Sequence, residues 1–358
     1  SIENIGVLFT GIGLAIVFHG AGMRPLAALA LTAVLYHALN HAFMKSLLFC
    51  GTGAVLHATG ERNLGRLGGL IHRMPWVAWL TLVGVLAIAG LPPLNGFVSE
   101  WLLLQAFLFA HEVPHPFVNM LLPLGASIVA LAAALAAYVM VKFYGVVFLG
   151  QPREPSLAKA HDAGPLEKAG LAWLAAGCVL LGLLPGQVVG GLGYVTQQLT
   201  GHAVATAQGW SWLLAPLPDR EVSYAPLVLL LVIVAVVAIT FLAVRLAYRR
   251  VVRRAPPWDC GFVRVDARMQ DTAEGFGQPI RHIFQSFFQM RRELPSPFDA
   301  APRYQVTIGD RSWRALYEPL GGIVQRLADS VAWLQQGRLS PYLLYSFVTL
   351  VLLLAVVL

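Results

Sequence analysis

The chain has 358 residues, of which 12% are charged and 57% are apolar. Soluble domains usually carry about 25% charged residues, and a soluble globule of this length needs more polar side chains to cover its surface. The composition therefore excludes an ordinary soluble enzyme, a disordered protein and a disulfide scaffold. It predicts an all-α polytopic membrane protein, in which a charge at membrane depth requires a reason.

The three cysteines, Cys50, Cys178 and Cys260, are far apart in the sequence. Paired-cysteine motifs of zinc or iron–sulfur sites do not occur, nor do a P-loop or a GxGxxG element. We therefore expect no cofactor, no bound metal and no catalytic centre on this chain. The sequence starts at Ser1 without a methionine, which is typical of a piece of a longer chain.

Seven apolar stretches reach the length of about 20 residues that a membrane crossing needs. They lie at 4–20, 26–58, 76–110, 118–149, 169–195, 225–248 and 341–358. The stretches at 26–58 and 76–110 exceed one straight crossing, because 33 helical residues extend about 50 Å. Such a helix either tilts and protrudes or is interrupted, and we predict that both are broken helices.

The stretch at 76–110 contains a helix breaker, which consists of Gly90, Leu91, Pro92, Pro93, Leu94, Asn95 and Gly96. Two adjacent prolines remove two amide donors and clash with preceding carbonyls. Backbone left unpaired at membrane depth is tolerated only beside protein or water. A broken helix at this depth is a recurring device of ion transporters, and a simple proline kink is the alternative interpretation.

Basic residues in the loops predict the orientation of the chain in the membrane. Alternate loops on one side hold 20 Lys and Arg, including fourteen arginines from 249 to 338, whereas the other side holds Arg24 and Arg220. The positive-inside rule makes the basic side cytoplasmic. The chain then starts in the cytoplasm and ends on the periplasmic side. The net charge of +7 is mainly a topology signal, and nucleic acid is not an expected partner.

We divide the chain into channel helices at 1–150, two further transmembrane helices at 151–250, a cytoplasmic segment at 251–338 and a last transmembrane helix at 339–358. Arg249, Arg250, Arg253 and Arg254 have the pattern of an anchor at lipid headgroups. Two amphipathic stretches follow, at 280–292 and 313–336. We expect them to form helices on the membrane surface or against partner subunits.

His37, His41 and Lys45 recur at intervals of four residues. On an α-helix they lie on one face and span about 12 Å along the axis. A mid-membrane lysine costs about 2.5–3.5 kcal/mol on insertion scales and must face protein or water, and histidines titrate near neutral pH. The row predicts a chain of proton-transfer groups. A satisfied core histidine and a zinc site with His-x3-His spacing are the alternatives.

Glu100 follows the Pro92-Pro93 break by two helical turns, inside an apolar span. Unwound backbone lets water reach such a carboxylate, so we predict that protons leave through Glu100, and an ion pair with Lys45 is compatible with this role. Lys142 lies about 10 Å from the cytoplasmic end of its span. It is either a further member of the pathway or a lysine that extends to the interface.

The same residues carry a resemblance to a known family, the proton-conducting antiporter-like subunits of NADH:quinone oxidoreductase and of Mrp antiporters. Four motifs are similar: the His37–Lys45 row with the following Leu47-Leu48-Phe49, then Gly65-Arg66-Leu67-Gly68-Gly69, then Arg73-Met74-Pro75, then residues 91–101. The last motif and the C-terminal residues 333–339 and 342–345 most resemble the members found in hydrogenase-4 and formate hydrogenlyase complexes.

The resemblance implies a fold of two inverted five-helix repeats, each with a broken helix and a half-channel. This chain matches the second repeat from about its middle onward, with a C-terminal extension, and the Glu–Lys pair of the first repeat has no counterpart. The resemblance further implies that Lys45, His41 and His37 are the mid-membrane lysine and its histidines. Glu100 matches the carboxylate of the second broken helix.

We therefore interpret the chain as a non-catalytic, proton-translocating subunit of a redox-driven complex in the bacterial inner membrane. The implied partners are other membrane subunits, the lipid bilayer and a peripheral hydrogenase or iron–sulfur arm, with protons and possible Na⁺ as cargo. Protons would pass from the cytoplasm along Lys45, His41 and His37 to Glu100. A secondary cation/proton antiporter and a non-conducting scaffold for a peripheral enzyme are the two alternatives.

Overall fold

The computed structural model describes residues 1–204, 213–217, 222–248, 255, 258, 260–261, 266–267, 269–296, 298–335, 337 and 339–357. The headgroup anchor that we predict at Arg249, Arg250, Arg253 and Arg254 lies outside the described residues. The chain divides into two compact units, Ser1–Phe276 and Gly277–Leu358.

The described residues contain eleven α-helices. They are α1 (Ile2–Gly20), α2 (Arg24–Thr59), α3 (Pro75–Ile88), α4 (Asn95–Leu108), α5 (Pro116–Phe148), α6 (Pro165–Leu183), α7 (Pro185–Thr200), α8 (Pro226–Ala247), α9 (Ala273–Ile283), α10 (Glu318–Val331) and α11 (Leu339–Val357). Six of them, α1, α2, α5, α6, α8 and α11, are long and apolar enough to cross a membrane. The prediction of a helical, multi-pass membrane protein is confirmed.

The break that the sequence predicts at 90–96 separates α3 from α4. Each of these helices has 14 residues, or about 21 Å, so neither crosses a 30 Å hydrocarbon core alone. Gly90 ends the first half with a φ of +65°, a conformation that a glycine adopts without steric cost. Leu91 N–H donates to Leu86 O at 3.1 Å, and Leu94 N–H donates to Leu91 O at 3.0 Å.

The prediction of a second break within 26–58 is wrong, because α2 is one continuous helix of 36 residues. Its only proline, Pro25, occupies the first turn, where a missing amide donor costs nothing. The second interruption instead divides the predicted span at 169–195 into α6 and α7, at Leu184 and Pro185.

The α6–α7 interruption is stabilised by α2 and adjoins the first break. Pro185 has no N–H to donate to the carbonyl of Leu181, and the Tyr36 hydroxyl donates to that carbonyl instead. A Cβ atom at Gly182 would overlap Pro93 O and would lie 2.8 Å from Asn95 N. Only a glycine therefore allows α6 to approach the backbone between α3 and α4.

The loops that follow α2 and α5 are joined by hydrogen bonds, and we call this group of contacts the loop clamp. The guanidinium of Arg153 donates to Leu67 O at 2.6 Å. The side-chain amide of Gln270 pairs with the main chain of Gln151 through two bonds of 2.9 Å. Asp162 accepts from Trp76 N–H at 3.1 Å, so the clamp also fixes the first turn of α3.

Within the second unit, the amphipathic prediction for 280–292 is wrong in its second half. The helix α9 ends at Ile283, and β3 (Phe288–Glu293) pairs antiparallel with β4 (Gln305–Asp310), with Phe288 opposite Asp310. A strand at 288–293 depends on hydrogen bonds from a partner twelve or more residues away, which a helical pattern read locally does not reveal. In the stretch at 313–336, the helix α10 agrees with the prediction.

The first unit contains a second small hairpin, which lies after α7. Its strands are β1 (Leu214–Leu217) and β2 (Val222–Tyr224), and they pair antiparallel. The short strands end just before α8 begins at Pro226. The hairpin therefore brings the side chain of Tyr224 to the helix bundle, where it is buried.

Candidate functional site

The continuous helix α2 carries His37, His41 and Lys45 on one face, as their spacing predicts. It packs against α4, the helix that follows the first break. His37 is 2% exposed, and His41 and Lys45 are partly buried. The three side chains thus form a row along α2. Neighbouring helices bury the His37 end of this row, whereas the Lys45 end is partly buried.

The His37 ring contacts Ser99 on α4, with 3.0 Å between Nδ1 and Oγ. The Ser99 hydroxyl also accepts from the Asn40 side-chain amide at 3.0 Å and lies 3.2 Å from the carbonyl of Gly96. A hydroxyl both donates and accepts. Ser99 is therefore able to accept a proton from one neighbour and to donate one to another.

Asn40 and Asn95 join α2 to the first turn of α4 on both sides of this contact. Asn40 Nδ2 donates to Asn95 O at 2.8 Å, and Asn95 Nδ2 donates to Asn40 O at 3.4 Å. Both side chains are 0% exposed. The pair fixes the start of α4, directly after the break, against the middle of α2.

Four buried polar atoms in this region have no hydrogen-bond partner among the described residues. They are His37 Nε2, His41 Nε2, Asn40 Oδ1 and Asn95 Oδ1. More than 90% of buried polar groups in proteins are paired with protein or with ordered water. Since these four atoms lie within a few residues of one another on two facing helices, they provide the polar partners that buried water molecules require.

The ammonium group of Lys45 lies 5.1 Å from the centre of the Phe49 ring. Lys45 borders a cavity of about 190 Å³ with Leu48, Phe49, Thr52, Met140 and Phe143. A second cavity of about 320 Å³ shares Phe49, Thr52 and Phe143 and extends to Glu61 and Arg62 in the loop after α2. The two cavities thus lie next to each other along α2, between its loop end and Lys45.

Glu100 lies at the break itself, since a Cβ atom at Gly90 would be 2.8 Å from its Oε2 atom. Among the described residues, its carboxylate has no hydrogen bond and forms no ion pair with Lys45. The surroundings of the carboxylate are therefore the unwound backbone of the break.

Aromatic side chains cover the helix on each side of Glu100. Phe97 and Trp101 pack against Tyr224, with ring centres 5.3 and 5.6 Å apart. Burial raises the pKa of Tyr224 to about 12, so its hydroxyl is neutral at physiological pH. This aromatic cover limits the routes by which water reaches α4.

In the structure, Lys142 does not lie in the row formed by His37, His41 and Lys45. Lys142 is half-buried on α5 and makes no hydrogen bond or ion pair with another described residue. Its neighbour Phe143 borders both cavities near Lys45, whereas Lys142 does not line either of them. A pathway role for Lys142 stays a prediction.

Sequence reasoning missed three polar residues of this region, namely Glu3, Asn40 and Ser99. Asn40 and Ser99 directly precede His41 and Glu100, and a polar residue inside an apolar span is the signal that could have identified them. The predicted span at 4–20 omits Glu3, whereas α1 starts at Ile2. In the described part of the chain, no three His, Cys, Asp or Glu side chains are grouped as metal ligands would be.

Comparisons with known proteins agree with the resemblance in the sequence. Residues 12–142 match the family described as NADH:quinone oxidoreductase/Mrp antiporter, TM. The chain is 30% identical to hydrogenase-4 component B of Escherichia coli (strain K12), covering 99% of this chain and 54% of that protein. It is 34% identical to formate hydrogenlyase subunit 3 of the same organism, covering 85% of this chain and 48% of that protein.

A solved structure shows the same fold. The chain aligns with a chain of the membrane-bound sulfane sulfur reductase, an archaeal respiratory membrane complex, with a TM-score of 0.62 and 22% identity. The alignment covers 99% of this chain and 55% of that chain. The present chain thus spans about half the length of the relatives that it matches.

Proposed function

Since residues 12–142 of this chain match the NADH:quinone oxidoreductase/Mrp antiporter family of membrane subunits, we propose that the chain moves protons across the membrane within a larger complex. The active unit is a redox-driven assembly of the hydrogenase-4 or formate hydrogenlyase type, because relatives from those complexes align over most of the chain. Electron transfer takes place in a peripheral arm, and this chain supplies the proton path in the bacterial inner membrane.

The observation that carries the proposal is the set of unpaired buried polar atoms between Lys45 and Glu100. His37, His41, Asn40 and Asn95 each present one such atom. Leaving a buried polar atom unpaired costs about 1–3 kcal/mol. Water molecules along a path between side chains would satisfy these atoms.

The proposed path begins at the loop after α2, where the cavities lead to Lys45. Protons then pass along His41 and His37, through the Ser99 hydroxyl, to Glu100 at the break. The positive-inside rule makes the loop end of α2 cytoplasmic, and the C-terminus is then periplasmic. The helices that form this path are those of the predicted channel region, residues 1–150.

Replacing the two ends of the path tests this function. Lys45→Met and Glu100→Gln remove the charges with little change in shape, and each should reduce redox-driven proton translocation in inverted membrane vesicles at least tenfold. The full-length chain in its assembled complex is used, with proton movement followed by a pH-sensitive dye. Lys168→Met, which alters a lysine on α6 that pairs with Asp162 of the loop clamp, is the matched control and should translocate protons normally.

The outcomes separate the competing functions. Wild-type pumping by both Lys45→Met and Glu100→Gln would refute the proton path. Loss of assembly with normal pumping by the remaining complexes would indicate a scaffold. Proton movement that requires Na⁺ and proceeds without electron transfer would indicate a secondary cation/proton antiporter.

A further inference from the structure

The helices α1, α2 and α4 meet at Gly11. Their contacts there determine which residues of α2 lie level with the first turn of α1. A Cβ atom at Gly11 would overlap the Val34 side chain of α2 and would lie 3.3 Å from Leu103 Cδ1 of α4. The helices α1 and α2 are connected by a tight turn, in which Met23 N–H donates to Phe18 O at 2.8 Å. They are therefore antiparallel, with Gly11 opposite Val34.

This register brings Glu3 to the level of the histidine–lysine row. Glu3 precedes Gly11 by eight residues, or about 12 Å of helix, and the same distance beyond Val34 on α2 leads to Ala42. That position lies between His41 and Lys45.

The Glu3 carboxylate has two charged neighbours on two different helices. It interacts electrostatically with Lys45 on α2 and with Glu100 on α4. His41 is a further titratable group on this side of the row. The interaction with Lys45 is attractive and the interaction with Glu100 is repulsive. The charge of Glu3 therefore acts on both ends of the proposed path.

The packing of α1 does not require a charge at this position. Asn4 and Val7, which face the neighbouring helices, are 4% and 9% exposed, whereas Glu3 lies on the exposed side of the first turn. An acidic residue within a membrane helix is costly without a compensating partner. The positive charge of Lys45 attracts the Glu3 carboxylate.

We propose that Glu3 is a positioning residue of the proton path that couples the charge of Lys45 to that of Glu100. The inference rests on the proposed function. While Lys45 is protonated, its ammonium neutralises Glu3, and Glu100 experiences little repulsion. When Lys45 releases its proton towards His41, the Glu3 charge is no longer balanced and favours the protonated form of Glu100. The released proton is thereby drawn from Lys45 to the Glu100 carboxylate.

The test uses the full-length chain in its assembled complex, in inverted vesicles. Glu3→Gln should lower proton translocation at least fivefold at unchanged complex abundance, and Glu3→Asp, which retains the charge, should restore at least half of the wild-type rate. In a Lys45→Met background, Glu3→Gln should cause no further loss, because Glu3 acts through Lys45. His19→Gln, at the other end of α1, is the matched control and should leave the rate unchanged.

Two results would overturn this role for Glu3. Normal translocation by Glu3→Gln, with translocation lost in Lys45→Met, would refute the role of Glu3 and leave the proton path intact. Equal loss in Glu3→Gln and Glu3→Asp would show that shape rather than charge matters. Normal translocation by Lys45→Met itself would instead refute the proposed function on which the coupling depends.

Discussion

Two polar regions of the first unit differ in how completely their hydrogen bonds are made. In the loop clamp, Arg153, Gln270 and Asp162 each meet main-chain partners at ordinary hydrogen-bond distances. Between α2 and α4, His37 and His41 each bury a ring nitrogen that has no partner among the described residues. Both regions join distant parts of the chain, yet only the first is satisfied by the protein alone.

The difference indicates what each region is for. A hydrogen bond that replaces water in a satisfied network contributes about 0.5–1.5 kcal/mol to stability. A buried polar atom without a partner reduces stability and persists where transport or catalysis needs it. The clamp should therefore respond to mutation through stability, and the region between α2 and α4 should respond through transport.

The largest expected effect is that of His37→Leu. Removing the ring interrupts the proposed path and should lower translocation at least tenfold, which corresponds to about 1.4 kcal/mol in the barrier. The melting temperature of the purified complex should not fall by more than a few degrees, because an unpaired buried nitrogen is removed with the ring. A large loss of stability with normal transport would show that His37 stabilises the fold and does not serve transport.

Asp162→Ala should have the largest effect in the clamp. Asp162 accepts from Trp76 N–H at 3.1 Å and from Val77 N–H at 3.3 Å, at the start of α3. Losing such a cap costs about 0.5–2 kcal/mol, and the melting temperature should fall while translocation per assembled complex is retained. Asp162→Asn keeps an acceptor oxygen and should fall less, so equal losses would contradict the capping role.

Gln270→Ala removes two hydrogen bonds to the main chain of Gln151, both of 2.9 Å. The site is exposed, so water replaces the lost partners and the expected cost is about 1 kcal/mol. Limited proteolysis of the loop after α5 should become faster. Gln270→Glu, which retains one acceptor, provides the intermediate case, and unchanged proteolysis in both variants would show that the contact contributes nothing.

Lys168→Met should have the smallest effect. Its ammonium lies 3.6 Å from Asp162 Oδ2 and 5.9 Å from the centre of the Trp76 ring. A partly exposed ion pair contributes about 0–1 kcal/mol, and the loss should disappear at high salt because the pair is screened. A loss that persists at 1 M salt would show that packing on Trp76 matters more than charge.

The sequence alone determines the features that depend on local spacing. Apolar length identifies the membrane helices, since a crossing needs about 20 residues. The four-residue interval puts His37, His41 and Lys45 on one face of any α-helix. The adjacent Pro92 and Pro93 interrupt a helix interior, because together they remove two amide donors and clash with the preceding turn.

Only the tertiary structure decides which of these residues meet. The contact between His37 and Ser99 joins residues 62 positions apart, and no local pattern encodes that distance. The position of the second interruption also depends on a distant partner, because Tyr36 satisfies the carbonyl that Pro185 leaves free. Glu3 lies level with the stretch between His41 and Lys45 only because Gly11 lets α1 approach α2 in one register. Helical period is a local property of the chain, whereas pairing across helices is a property of how the helices pack.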